Sequence, residues 1–330
     1  MPPLPPRGLI VALITPLDSR GEVAWEALER LIEHLLPFSD GLLIGEPLAG
    51  EGFLLPGKVR IDLFRACVEE VRGRKPLFLC PTAQTSEETL NQVAAAEGSL
   101  SGRPGDPPVF WVDLPLWHHS NRKLPQFYEE WGRRSLLPIL LHNHPLLISS
   151  LNRSLKRKNI RTAVLKKLAE NGQIAGLIQA GEFQRTLHYQ RAVRRRRDFR
   201  IYDGDEMNFL NQPSASGIVS WGANLLPAEW QEIVKGALTP SEDPARGLKL
   251  FKEGRKLKEL CAAMGLNPAA SLKYALNRLG KIPAAATREG SFPPASAEFA
   301  GMEAFLRQNF SLQACGANDI HISDFESRKP

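Results

Sequence analysis

The sequence predicts a (β/α)8 barrel followed by a helical extension, and three observations carry this expectation. Eight short apolar runs alternate with amphipathic segments over residues 1–238. Each run is apolar throughout, as in strands buried on both faces of a parallel sheet. No glycine-rich phosphate loop follows the first run, ITPLDSRGEV, as it usually does in the competing architecture, an open doubly wound sheet. Eight repeats in about 238 residues match the count and length of a barrel.

The runs are GLIVALITP (8–16), GLLIGEP (41–47), KPLFLCPT (75–82), PPVFWVDLPLW (107–117), LPILLHNHP (137–145), GQIAGLIQAG (172–181), FRIYDGDE (199–206) and SGIVSWGAN (216–224). Val23 to Leu36 places apolar residues at helical spacing. TSEETLNQVAAAE opens with Thr85 and, three residues on, Glu88, the pattern of a capping box. KLPQFYEEWGRR, RTAVLKKLAENG and PAEWQEIVKGAL read as further helices, and Asn171-Gly172 is an expected stop for the second of them. After Leu238 only helical patterns remain: ARGLKLFKEGRKLKELCAAMG, NPAASLKYALNRLG and AEFAGMEAFLRQNF, the last two joined by a Pro/Ala/Ser linker. The expected division is a barrel over 1–238, a helical extension over 239–310, and a flexible, aperiodic tail over 311–330.

With 43% hydrophobic and 24% charged residues, the composition is that of a globular chain. No apolar run approaches the roughly 20 residues of a membrane span. MPPLPPRG lacks the apolar core of a signal peptide, so a membrane or exported protein is not expected. Cys67, Cys80, Cys261 and Cys315 lie far apart without CxxC spacing, which reads as reduced thiols in the cytoplasm. The net charge of +6 comes largely from residues 153–167 and from Arg194 to Arg197. No aromatic residues interleave these runs, so they read as solvated helix faces and not as a nucleic-acid surface.

GLIVALITPLDSRGEVAWEALERLIEHLL resembles the opening of the dihydrodipicolinate synthase / N-acetylneuraminate lyase family, with a Thr-Pro ending the first strand before an acidic turn and a helix. The similarity continues in register through AGEGFLL, IAGLIQA, YDGDE, SGIVSWGANLLPAEW and NPAASLKYAL, over roughly residues 7 to 310. The resemblance implies a (β/α)8 barrel with a C-terminal helical extension, assembled as a homo-oligomer (a dimer or tetramer). It also implies lyase chemistry on pyruvate or a related 2-oxo acid, through a Schiff base to a lysine on the sixth strand. That chemistry needs an amine of lowered pKa in a desolvated barrel mouth.

The family's Gly-Ile-Lys-Asp/Glu motif matches Gly176-Leu177-Ile178-Gln179, so Ile178 stands at the lysine position and has no atom able to attack a ketone. The family's proton-relay tyrosine, in Tyr-Asn-x-Pro, matches His142, followed by Asn143, His144 and Pro145. The carboxylate-binding arginine matches Leu147, and a second tyrosine matches Trp117. The Gly-Thr-Thr-Gly-Glu loop matches Pro47 to Glu51, which keeps Gly50 and Glu51 but has Ala49 in place of the relay hydroxyl. No lysine lies at the C-terminal end of any predicted strand, where barrel active sites are built, and Lys123 is the one nearby candidate.

The expectation is therefore a family barrel that has lost its Schiff-base reaction and needs no cofactor. Its mouth, lined by Ala49, Gly50, Glu51, Trp117, Asn143, Gln179 and Asp205, would bind a small molecule or be a remnant. His142 is the candidate for residual acid–base work. New chemistry in the same mouth is the alternative, with His142, His144 and Asp205, helped by His118, His119 or Asp203, as candidate metal ligands. An aldolase using an unrecognised amine is the third reading. Cys80 reads as packing before nucleophile, and Trp117 with His118 as either a stacking platform or a plug.

Overall fold

Each of the eight apolar runs folds as a strand, because a side chain on either face of these segments loses water when the sheet closes. The computed structural model describes residues 3–100, 108–151, 157–239, 243–265, 267–288 and 296–310. The strands are β1 (Gly8–Ala12), β2 (Gly41–Ile44), β3 (Leu77–Leu79), β4 (Val109–Asp113), β5 (Ile139–Asn143), β6 (Ile174–Gln179), β7 (Arg200–Asp203) and β8 (Gly217–Ser220). They pair in sequence order, all parallel, and β8 closes on β1. The (β/α)8 architecture expected from the sequence is thus present.

The helices are α1 (Trp25–Leu35), α2 (Gly57–Val71), α3 (Ser86–Leu100), α4 (Pro115–His118), α5 (Leu124–Trp131), α6 (Pro145–Ser150) and α7 (Thr162–Leu168). They continue with α8 (Phe183–Val193), α9 (Glu206–Asn211), α10 (Pro227–Leu238), α11 (Pro244–Met264), α12 (Pro268–Arg278) and α13 (Ser296–Asn309). The last three are the helical extension read from the sequence. The 311–330 tail and part of the 153–167 basic run lie outside the described residues.

Strand alternation divides the core in two. Ile10, Ala12, Leu43, Phe78, Cys80, Phe110, Val112, Leu140, Ile178, Tyr202 and Val219 fill the barrel. Phe78 and Phe110, register partners on the adjacent strands β3 and β4, stack with centroids 4.9 Å apart. The outward residues join the helices in a second, larger core. There α1 buries Ala27, Leu28, Leu31, Ile32 and Leu35, a single stripe in which each large side chain contributes roughly 1.5–3 kcal/mol. The Thr85 capping box forms as read, with the Glu88 amide 3.1 Å from Thr85 Oγ1 and the Thr85 amide 3.2 Å from Glu88 Oε2. Helix α7 stops earlier than Asn171-Gly172 suggested, at Leu168. Asn171 instead makes a turn, its Oδ1 accepting from the Gln173 amide at 2.9 Å.

One buried ion pair ties the extension to the barrel. Lys273 of α12 is fully buried and donates through Nζ to Glu51 Oε2 and, at 3.0 Å, to the Ala286 carbonyl. The Arg288 amide donates to Glu51 Oε1 at 2.8 Å. Burial pulls the Lys273 amine below the ordinary lysine value, and Glu51 opposes that shift. Removing one member of such a pair strands a buried charge, at a cost of about 3–5 kcal/mol. Glu51→Gln is therefore expected to lower unfolding free energy by about 3 kcal/mol or more in urea titration. Lys273→Met combined with Glu51→Gln should cost clearly less than the two separate losses added, and full additivity would show that the pair is not coupled.

Candidate functional site at the barrel mouth

The inner positions of β5, β6 and β7 fall level with one another, with Cα partners running His142–Ile178–Tyr202. Ile178 is buried in the middle of this row. Its fit is close: a Cβ on Gly204 would meet Ile178 Cγ2 at 2.8 Å. Tyr202 turns its hydroxyl toward the other end of the barrel, where it donates to the Pro6 carbonyl. The level at which the resemblance implies an amine thus holds a branched hydrocarbon beside an imidazole.

The two imidazoles that end β5 stand together, ring centroids 5.4 Å apart. His144 also lies parallel to Trp221, which follows β8, at 6.4 Å. His144 caps α6, its Nδ1 accepting from the Leu147 amide at 3.3 Å, so in the neutral ring the proton is on Nε2. Burial drives the His142 pKa well below the ordinary value, and His144 lowers it further. Burial likewise pulls His144 down to about 4. Both rings are neutral at pH 7. His142 Nδ1 is buried and has no hydrogen-bond partner among the described residues. A buried polar nitrogen left in this state costs about 1–3 kcal/mol, which a ligand can recover.

The loop after β2 adds a group that the sequence reading missed. Glu46 is fully buried, and its Oε2 accepts from the amides of Leu48 at 2.8 Å and Ala49 at 2.7 Å. Its Oε1 has no partner among the described residues. Burial raises its pKa to about 7, against the opposing pull of the loop amides. The signal was a lone carboxylate between Gly45 and Pro47 at the end of an apolar run. Gly50 belongs here for steric reasons, since a Cβ on it would come 2.7 Å from the Glu46 amide. Its carbonyl accepts from Thr15 Oγ1 at 2.8 Å. Ala49 is buried and Glu51 is committed to Lys273.

The remaining candidates are not brought to one point. Asn143 and Gln179 pair with each other at 2.8 Å, and Asn143 Oδ1 accepts from the Ile160 amide at 2.9 Å. Gln179 Nε2 is left without a partner among the described residues. Asp205 caps α9 by accepting from the Asn208 amide at 2.8 Å, and Asp203 accepts from Ser214 at 2.8 Å. Leu147 is half-buried and Lys123 exposed. Trp117 stacks on Phe53 with centroids 4.1 Å apart. Burial pushes the Cys80 thiol up to about 12, so it packs as a hydrophobe. His118 bonds Asp113 and Ser86, and His119 bonds the Ser120 carbonyl. The metal set suggested by the sequence, His142, His144 and Asp205, is corrected: among the described residues no three His, Cys, Asp or Glu side chains are grouped to hold an ion. His144 and Asp205 are instead each oriented as the cap of a different helix, α6 and α9.

A closed ring of eight parallel strands with alternating helices, followed by three further helices, defines the class: a (β/α)8 barrel with a C-terminal helical extension. Residues 5–308 match the dihydrodipicolinate synthetase family, and the chain belongs to that family. The 4-hydroxy-tetrahydrodipicolinate synthase of Thiobacillus denitrificans is 29% identical over 279 residues, spanning 79% of this chain and 88% of that protein. The enzyme of the same name from Pseudomonas aeruginosa is 25% identical over 282 residues, spanning 84% and 89%. Among solved structures, dihydrodipicolinate synthase from Thermotoga maritima superposes with a TM-score of 0.77 at 22% identity, covering 92% of this chain and 98% of that one. No helix among the described residues is long and apolar enough to cross a membrane.

The depressed histidines make a signed prediction. Below pH 6.5 an unfolded His144 takes up a proton that the folded one refuses until about pH 4. Stability therefore falls as pH drops through that window, by up to about 3 kcal/mol for one such group. Glu46 acts in the opposite sense, since its raised pKa contributes stability at low pH that is lost as pH rises through about 7. His144→Asn keeps an acceptor for the Leu147 amide and should fall less steeply between pH 6.5 and 4 than the parent chain in parallel urea titrations. Identical slopes would mean that His144 titrates normally in the fold.

Proposed function

We propose that this barrel does not run the Schiff-base aldol or lyase reaction, and that its mouth is a non-covalent binding site for a small molecule related to a 2-oxo acid. The observation that carries the reading is Ile178, buried at the level of His142 and packed against Gly204. A buried hydrocarbon offers no lone pair for the carbonyl carbon. Lys273 is the one fully buried lysine among the described residues, and it is held by Glu51 and Ala286, so it is not a free amine. Ala49 and Leu147 at the relay-hydroxyl and arginine positions support the same conclusion. The free Nδ1 of His142 supports binding, since a ligand carbonyl or hydroxyl can complete it.

A second reading has one observation in its favour. Glu46, with a free Oε1 and a pKa near 7, is matched to proton transfer at neutral pH, and it would make the mouth a metal-free acid–base site. On either reading the chain is a cytoplasmic homo-oligomer. The buried free thiols of Cys67 and Cys80 support the first term. Exposed Phe183 and Leu187 on α8, with Leu248 and Phe251 on α11, support the second.

The test is borohydride reduction of the full chain with excess pyruvate, read by intact mass. The expected result is no covalent adduct. Ile178→Lys should trap pyruvate weakly at best and turn over neither pyruvate with aspartate semialdehyde nor N-acetylneuraminate. The new amine lacks the relay groups, each typically worth roughly two or more orders of magnitude in rate. An adduct on the parent chain, or turnover restored by that one substitution, would contradict the proposal.

A further inference from the structure

Asp113 lies at the end of β4 on the outer side of the barrel, is fully buried, and takes three side-chain hydrogen bonds. Thr82 Oγ1 and Tyr128 OH each lie 2.7 Å from a carboxylate oxygen, and His118 Nε2 lies 3.1 Å away. Burial opposes ionisation, but His118, Tyr128 and Thr82 together hold the carboxyl below its ordinary pKa. An ionised carboxylate accepts only, so His118 carries a proton on Nε2. In the neutral ring Nδ1 then presents a lone pair, and Ser86 Oγ is 3.0 Å from it. A hydroxyl, an imidazole and a buried carboxylate thus stand in series, the order that removes a proton from a serine. The ring is used through the opposite nitrogens from the familiar protease relay, but the direction of proton movement is the same.

The surroundings suit a nucleophile. The His118 side chain has no exposure and packs on Phe127 at 5.2 Å, whereas Ser86 is only half-buried. Ser86 opens the 15-residue helix α3. The capping box uses the Glu88 amide, while the amides of Ser86 and Glu87 donate to no acceptor among the described residues. Two free N–H groups beside the hydroxyl, at the positive end of a helix dipole, can receive a developing oxyanion. A cavity of about 340 Å³ lies next to this turn, lined by Ala83, Gln84 and Glu88 with Phe53, Leu55 and Arg60 and not by Ser86 itself.

We infer that Ser86, His118 and Asp113 form a reactive site, an acyl-transfer centre for small neutral carboxylic esters. Ser86 Oγ bonds to the ester carbon while His118 Nδ1 takes its proton. The carbon–alkoxide bond then breaks, and the leaving alkoxide receives that proton. Water repeats the sequence on the acyl-serine: its oxygen bonds to the carbon, His118 takes its proton, and Ser86 Oγ leaves and is reprotonated. The sum is ester and water to acid and alcohol.

The test treats the full chain with an alkyl fluorophosphonate, which loses fluoride to an activated serine, and maps the adduct by peptide mass. One adduct per chain at Ser86 is expected, absent in Ser86→Ala and formed at least tenfold more slowly in Asp113→Asn. 4-Nitrophenyl acetate hydrolysis should fall in the same order. No adduct at Ser86, or equal labelling of His118→Gln, would overturn the inference. If His118→Gln does not fold, Ser86→Cys replaces it. Its thiol should react with iodoacetamide at pH 7 at least tenfold faster than a free cysteine, and an ordinary rate would overturn the inference equally.

Discussion

A strand buried on both faces has no water to satisfy the polar groups at its ends, and this constraint orders the whole molecule. Inside the barrel the solution is hydrocarbon, from Ile10 to Val219. The strands β4 to β8 end in polar residues, and most of the polar groups at this end of the barrel find partners in the chain itself. Asn143 binds Gln179, His144 caps α6, Asp205 caps α9, and Asp113 collects Thr82, Tyr128 and His118. The exceptions are informative because they are few. His142 Nδ1, Glu46 Oε1 and Gln179 Nε2 are buried without partners among the described residues, at or just beyond the C-terminal ends of β5, β2 and β6.

Position 178 shows what the same constraint does to chemistry. A lysine there would need a lowered pKa and relay groups to hand protons on, and each of those groups is costly to bury. On the proposed function, a chain with Ile178 at this level avoids that cost, and the neighbours suit a hydrocarbon there. Gly204 leaves space for the branched side chain, Ala49 needs no hydrogen-bond partner, and Leu147 joins the outer core. One buried ion pair, Lys273 with Glu51, works as a clamp between the extension and the loop after β2.

The barrel was legible because its signal is local: a continuous apolar run needs both faces covered wherever it occurs in the chain. The helical extension and the Thr85 capping box were legible for the same reason. The site was only partly so. The sequence puts His142 and Ile178 near the ends of the fifth and sixth runs, but the register that sets them level is seen only in the folded sheet. The metal grouping of His142, His144 and Asp205 was not excluded by sequence, because spacing does not reveal that two of the three are oriented as caps of different helices. Lys273 and Glu51 lie 222 residues apart, and Ser86 and His118 lie 32 apart. No periodicity links either pair, so only the folded chain shows them.

On the proposed function, the mouth holds a 2-oxo acid without a covalent bond. Carbon NMR of pyruvate labelled at the ketone carbon, titrated with the full chain, observes that carbon directly and needs no reductant. The account predicts a ketone resonance that broadens or shifts as protein is added, with a smaller effect when His142 is replaced by Phe. A new iminium resonance from the labelled carbon would contradict it.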